Sequence, residues 1–94
     1  MGIKPRLRPE YLAEKLLQIR LALGLSQSEM LRHLRVEDLI NYKQISKYET
    51  GVSEPPLIIL LQYARVVGIQ MEVLADDKLD LPARLPAKPK HSRQ

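Results

Sequence analysis

An all-helical domain of five short helices is what this 94-residue sequence predicts. Three observations carry the prediction. Apolar residues recur at helical spacing, the glycines Gly24, Gly51 and Gly68 close successive periodic runs, and no stretch alternates apolar with polar residues as a half-buried strand does.

The first helix is expected over residues 9–23, where Leu12, Leu16, Ile19 and Leu23 mark one face. Pro9 suits a first turn, where no amide donor is needed, and Glu10 favours the positive end of the helix dipole. Gly24 then stops the helix in a left-handed cap. Ser26-Gln27-Ser28-Glu29 spells a capping box, so a second helix starts at Gln27, turns Met30, Leu31 and Leu34 inward, and fades near Arg35. Residues 35–40 lack a period; with Glu37 and Asp38 beside Leu39 and Ile40, they read as a loop or single turn that tucks one apolar side chain inward. Asn41, followed three residues later by Gln44, gives a second box and opens a third helix over 42–50, with Ile45 and Tyr48 buried. Residues 52–56 form a turn, and Pro56 opens a fourth helix ending at Gly68, with Leu57, Leu60, Ala64 and Val67 as its inward face. Residues 69–75 make a short fifth helix, after which proline density rises.

Charge divides the chain into three parts. A basic arm over residues 1–8 carries Lys4, Arg6 and Arg8; a basic, proline-rich tail over 82–94 carries Arg84, Lys88, Lys90 and Arg93; neither has an acid. Residues 9–81, the expected folded domain, hold eight cations against eleven acids. The basic ends are read as flexible segments that attract phosphate nonspecifically and lose that attraction as salt rises.

The composition excludes several classes. The chain has no cysteine, and His33 and His91 stand far apart without acidic partners at ligand spacing, so no metal and no cofactor are expected. No run approaches the ~18 apolar residues that would span a membrane, and the start does not resemble a secretory signal, which points to the cytoplasm. With no paired nucleophile and base and no glycine-rich phosphate loop, an enzyme is not expected.

Four runs, taken in order, resemble the phage repressor and Cro-type (XRE-like) helix-turn-helix family: residues 16–20, then Gly24-Leu25-Ser26-Gln27, then 44–51 with Ile45-Ser46, Tyr48-Glu49 and Gly51, then Pro55 and 64–69. Each run alone is a weak signal, and the ordered set over roughly residues 10–75 is strong. The resemblance implies a five-helix lambda-repressor-like fold whose second and third helices contact double-stranded DNA. It assigns base reading to Tyr42, Lys43, Gln44 and Lys47, whose amide and ammonium groups suit base edges in the major groove. It places Gln27 on a phosphate, with Ser26 and the free amides there helping; Arg35, in the loop, is a further phosphate candidate. Arg20 and Glu49 match the positions where the family joins its first and third helices by an ion pair.

This sequence departs from the family in one region. Leu31 stands where the family has a small residue and Arg35 where it has glycine, and Gln27 lies 18 positions before Ile45, about four more than the family's turn requires. A wider connection is expected to accommodate the bulk. The acids Glu37 and Asp38 are expected to hold the loop away from DNA.

The fourth helix carries more apolar residues than one face needs. Ile58, Ile59, Leu61 and Val66 are expected to form a surface for a homodimer or a protein partner, with Leu17 and Leu21 adding to the surplus; the competing expectation is that residues 69–81 fold back over it. The function expected is a sequence-specific transcriptional regulator, a repressor binding an inverted repeat. The alternative is an antitoxin or adaptor that uses the same fold to bind protein.

Overall fold

The computed structural model describes residues 9–86. The arm over residues 1–8 and the tail beyond residue 86 lie outside the described residues. Five helices follow one another: α1 Leu12–Leu23, α2 Gln27–Leu34, α3 Tyr42–Glu49, α4 Leu57–Val67 and α5 Met71–Ala75. No strand occurs among the described residues.

α1 forms around Leu12, Leu16, Ile19 and Leu23, all buried. It ends where Gly24 takes a left-handed φ of 72° and its amide returns to the carbonyls of Arg20 and Leu21. Its start differs from expectation. Pro9 lies outside the helix, and Tyr11 at the cap position offers no side-chain acceptor. The exposed amides are met from the far end of the chain, where the two Asp77 carboxylate oxygens accept from Glu10 N at 2.9 Å and Tyr11 N at 3.1 Å. α1 returns a bond of the opposite polarity. Lys15, buried despite its charge, donates from Nζ to the carbonyls of Val73 at 2.7 Å and Asp76 at 3.0 Å at the C-terminal end of α5. Each helix thus closes an end of the other, with a negative group at an N-terminus and a positive one at a C-terminus.

α2 starts at the expected capping box. Ser26 Oγ accepts from Glu29 N at 3.1 Å, and Ser26 N donates to Glu29 Oε1 at 2.8 Å. Its last turn is held from α4, where Gln62 Nε2 donates to the Leu34 carbonyl at 3.0 Å. Arg35 follows with φ 60°, the one non-glycine residue among those described in the left-handed region. The lengthened connection has therefore not removed the backbone geometry that suits glycine; it is occupied by a residue with a Cβ, which costs roughly 1–2 kcal/mol. Beyond it, Val36 is the apolar side chain tucked into the core, and its carbonyl accepts from Leu39 N at 2.9 Å and Ile40 N at 3.1 Å. The extra residues form an anchored turn. α3 is capped by Asn41, whose Oδ1 accepts from Lys43 N at 2.9 Å. Gln44 does not complete the expected box and instead donates its backbone amide to the Asn41 carbonyl at 3.0 Å.

α4 keeps Leu60, Ala64 and Val67 on its expected inward face and departs from expectation in its first turn. Ile59, Leu60, Tyr63, Ala64 and Val67 face the core, while Leu57, expected inside, is 72% exposed. The run Leu57-Ile58-Ile59-Leu60-Leu61 is apolar throughout and specifies no face by itself. The phase is set later in the helix by Tyr63, Ala64 and Val67. α2 meets α3 on one flank and α4 on another, and α1 meets α3 and α5, so the core fills the space among all five helices. Fully burying a side chain such as Leu16, Ile45 or Ile59 is worth ~1.5–3 kcal/mol. Packing continues past the expected domain end. Leu81 and Leu85 lie against the core, and residues 81–85 run beside Gln18 and Ala22 of α1. Leu81 and Leu85, on either side of the boundary expected between 81 and 82, are thus both partly buried, while Pro82, Ala83 and Arg84 between them are exposed. This segment runs along one flank of α1 without covering it, since Gln18 and Ala22 stay exposed. Ile58 on α4 and Leu21 on α1 are likewise exposed, at 53% and 55%.

Candidate nucleic-acid interface

The α2–α3 unit is fixed by one buried ion pair. The Glu49 carboxylate, at the last turn of α3, accepts from Arg20 Nε at 2.6 Å and Arg20 Nη2 at 2.9 Å, a bidentate pairing that matches the planar fork to both oxygens. Glu49 Oε1 also accepts from Gln27 Nε2 at 3.3 Å, and Arg20 Nη1 reaches the Leu25 carbonyl at 3.0 Å. One carboxylate therefore ties α1, the entrance to α2 and the end of α3 together. The Arg20 guanidinium is held above its ordinary pKa chiefly by its hydrogen bond to Glu49, against the opposing effect of burial. Tyr63, fully buried on the α4 side, has its hydroxyl pKa pushed well up by desolvation, with the Glu49 charge adding to the shift.

With Ile45, Tyr48 and Glu49 turned inward, α3 presents the opposite face. Tyr42 is 47% exposed, Lys43 and Lys47 are exposed, and Gln44 is half-buried at the edge of the same turn. The Asn41 cap closes that exposed turn at its N-terminal end. The structure thus brings Tyr42, Lys43, Gln44 and Lys47 together on one short helix. Two ammonium groups, an amide and a phenol suit guanine O6 and N7, adenine N6 and N7, and phosphate oxygens.

The three phosphate candidates separate into two places. Ser26 and Gln27 stand at the N-terminal end of α2, where the helix dipole favours an anion beside the capping box that pairs the Ser26 and Glu29 amides. Gln27 is oriented there by Glu49, so the ion pair expected to be architectural also sets the direction of this side chain. Arg35 lies past the other end of an eight-residue helix, roughly 12 Å away along its axis. The expected partner surface separates too. Ile59 is buried at 1% exposure and does not belong to any surface, because α4 turns it toward the core. Leu57, not among the expected residues, joins Ile58 and half-buried Leu61 near the start of α4; Val66 lies farther along the helix, beside Arg32, His33 and Arg35.

Sequence reasoning missed Lys15, Gln62 and Asp77, each of which closes a helix end on another element. A lysine at a position continuing an apolar face, as Lys15 does beside Leu12, Leu16 and Ile19, was the available signal. Among the described residues there is no group of three or more His, Cys, Asp or Glu residues able to hold a metal, and no helix long and apolar enough to cross a membrane.

A paired α2–α3 unit, locked from α1 and exposing a polar N-terminal turn, defines a helix-turn-helix protein. The helix-turn-helix family model of Cro/C1 type (XRE-like) matches residues 16–74, and the chain belongs to that family. It is a DNA-binding regulator, in a family that is typically non-enzymatic. No curated protein and no solved structure matches the chain.

Proposed function

We propose that the protein is a sequence-specific repressor that inserts the first turn of α3 into the major groove. Gln44 reads adenine through its amide, Lys43 and Lys47 contact guanine edges or the flanking phosphates, and Tyr42 packs its ring against the sugar or a thymine methyl. Ser26 and Gln27 grip the backbone and fix the register, which carries no sequence information of its own. Seated there, the protein denies the groove to other proteins, which is sufficient for repression. The observation that carries this reading is the exposed, capped first turn of α3, held up by a buried opposite face.

The protein acts as a twofold dimer in this proposal. Val52, Leu57 and Ile58, 68%, 72% and 53% exposed, cluster in sequence where the α3–α4 turn enters α4, and Leu61 extends the patch by one helical turn. Self-association would cover them and set two copies of α3 to half-sites about 34 Å apart. The experiment is a binding titration on DNA selected from a random pool. Lys43→Ala and Gln44→Ala each weaken specific binding, by ~1–3 kcal/mol if the lost contact is a bidentate base pairing. Unchanged affinity in both variants overturns the reading.

A further inference from the structure

The molecule separates its charge in a way that DNA reading does not require. At the C-terminal end of α2, Arg32, His33 and Arg35 line a shallow cleft of about 460 Å³ with Gln62 and Val66 of α4. Arg65 stands at its rim, its Nη1 3.3 Å from Gln62 Oε1. Among the described residues none of these cations enters an ion pair, and the cleft has no acidic lining. Arg32, His33 and Arg65 each sit in the last turn of a helix, where the carbonyl ends favour positive charge. That does not account for Arg35. It lies beyond the helix in a left-handed conformation that glycine would adopt without strain.

The opposite charge gathers elsewhere. Glu10, Glu14, Glu72, Asp76, Asp77 and Asp80, six of the eleven acids in the chain, lie at the start of α1 and around α5. Asp77 is bonded to the α1 amides. Glu14 and Asp80 line one shallow depression with Tyr11, Gln18, Leu81 and Lys15, whose ammonium is turned onto the Val73 and Asp76 carbonyls. With exposed Lys78 also counted, acids outnumber cations six to two at this end. Neither charged face contains a residue of α3 or the Leu57–Ile58 patch.

We propose that the basic α2–α4 cleft docks the acidic α1–α5 end of a second copy of this chain, head to tail. The charges are complementary, and the apolar walls, Val66 on one side and Tyr11 with Leu81 on the other, give each face a surface to exclude water. Such a contact is heterologous, so unless its rotation closes a ring it passes from one molecule to the next. It leaves α3 free and joins neighbouring molecules on one DNA. Exposed charge pairs are individually weak and screened by salt, so the contact is a low-salt association in free solution. On DNA the neighbour is held at high effective concentration, which makes a weak contact sufficient for cooperative binding.

The test is sedimentation of the full chain without DNA, as a concentration series at low and at high salt. The average mass rises with concentration at low salt and returns to its baseline at high salt, whether that baseline is monomer or twofold dimer. Arg32→Glu with Arg35→Glu abolishes the rise, and so does Glu14→Lys with Asp80→Lys, each lowering the association constant at least about tenfold. An equimolar mixture of the two reversed chains restores it, because each now offers the face the other needs; restoration also requires both to be folded. A wild-type mass independent of salt and concentration overturns the proposal, as does a mixture that stays at baseline. So does an Arg32→Glu, Arg35→Glu chain that sediments like wild type but binds DNA with a flattened salt dependence, which would assign the cleft to the DNA backbone. None of these outcomes depends on Lys43 or Gln44.

Discussion

Replacing Arg20 with methionine removes three hydrogen bonds, two to Glu49 and one to the Leu25 carbonyl, and leaves a carboxylate that is 3% exposed with only the long contact from Gln27. Breaking a buried pair from one side costs ~3–5 kcal/mol, because the surviving charge is uncompensated. Arg20 retains 15% exposure, so water relieves part of that cost and the lower end, about 3 kcal/mol, is expected. A domain of this size has a total stability of roughly 4–12 kcal/mol, so the loss is a large share of it. The expected fall in melting temperature is about 12–24 °C. Urea unfolding of the single variant, Glu49→Leu and the double variant measures the effect. The double variant recovers most of the loss, since an apolar pair of similar volume carries no buried charge. A single variant less than about 1 kcal/mol below wild type, or a double variant no better than Arg20→Met, refutes the reasoning.

Arg35→Gly removes the left-handed strain at the end of α2 and raises stability by about 0.5–1 kcal/mol in chemical denaturation, the flexibility of glycine offsetting part of the relief; a loss of stability would mean that the Arg35 side chain holds the fold. Tyr63 buries a hydroxyl that has no hydrogen-bond partner among the described residues, so Tyr63→Phe leaves stability unchanged or raises it by about 1 kcal/mol. A clear loss in the same unfolding assay would mean that the hydroxyl is bonded. Asp77 has its pKa lowered by the Glu10 and Tyr11 amides, in that order. Because the folded value lies below the unfolded one, its contribution is complete above the unfolded value of about 3.9 and is lost as pH falls through the folded value. Asp77→Ala therefore melts earlier than wild type at pH 7, and the two curves converge in strong acid; a difference that persists there would place the effect of Asp77 outside its charge.

Local signals in the sequence were read correctly where one residue determines its own backbone. Ser26 with Glu29, Gly24, Gly68 and the Leu12–Leu16–Ile19–Leu23 face all work within one or two turns, and the structure carries each of them. Leu60, Ala64 and Val67 of α4 face the core as expected, but Ile59 takes the inward place expected of Leu57. Five consecutive apolar residues specify no face, and the choice falls to Tyr63, Ala64 and Val67 in the core among α2, α4 and α5. The sequence marks Lys15 only as a lysine on an apolar face, without its partners, and leaves the roles of Gln62 and Asp77 unmarked. Their partners are 28 to 67 residues away in sequence, and no local pattern encodes a cap supplied from another element. At the interface, the identity of the exposed α3 residues followed from the family pattern, and their joint placement from the burial of Ile45 and Tyr48. Leu57 escaped notice as a surface residue for the same reason that Ile59 was misassigned to one.

The α3 reading turns on whether Gln44 addresses a base. Selection of bound sequences from a random DNA pool, run in parallel with wild type and Gln44→Ala, measures this directly. The account predicts a palindromic motif for the wild type, and for the variant the same motif with preference lost at one position in each half and an unchanged salt dependence of binding. An identical motif from both proteins would contradict it.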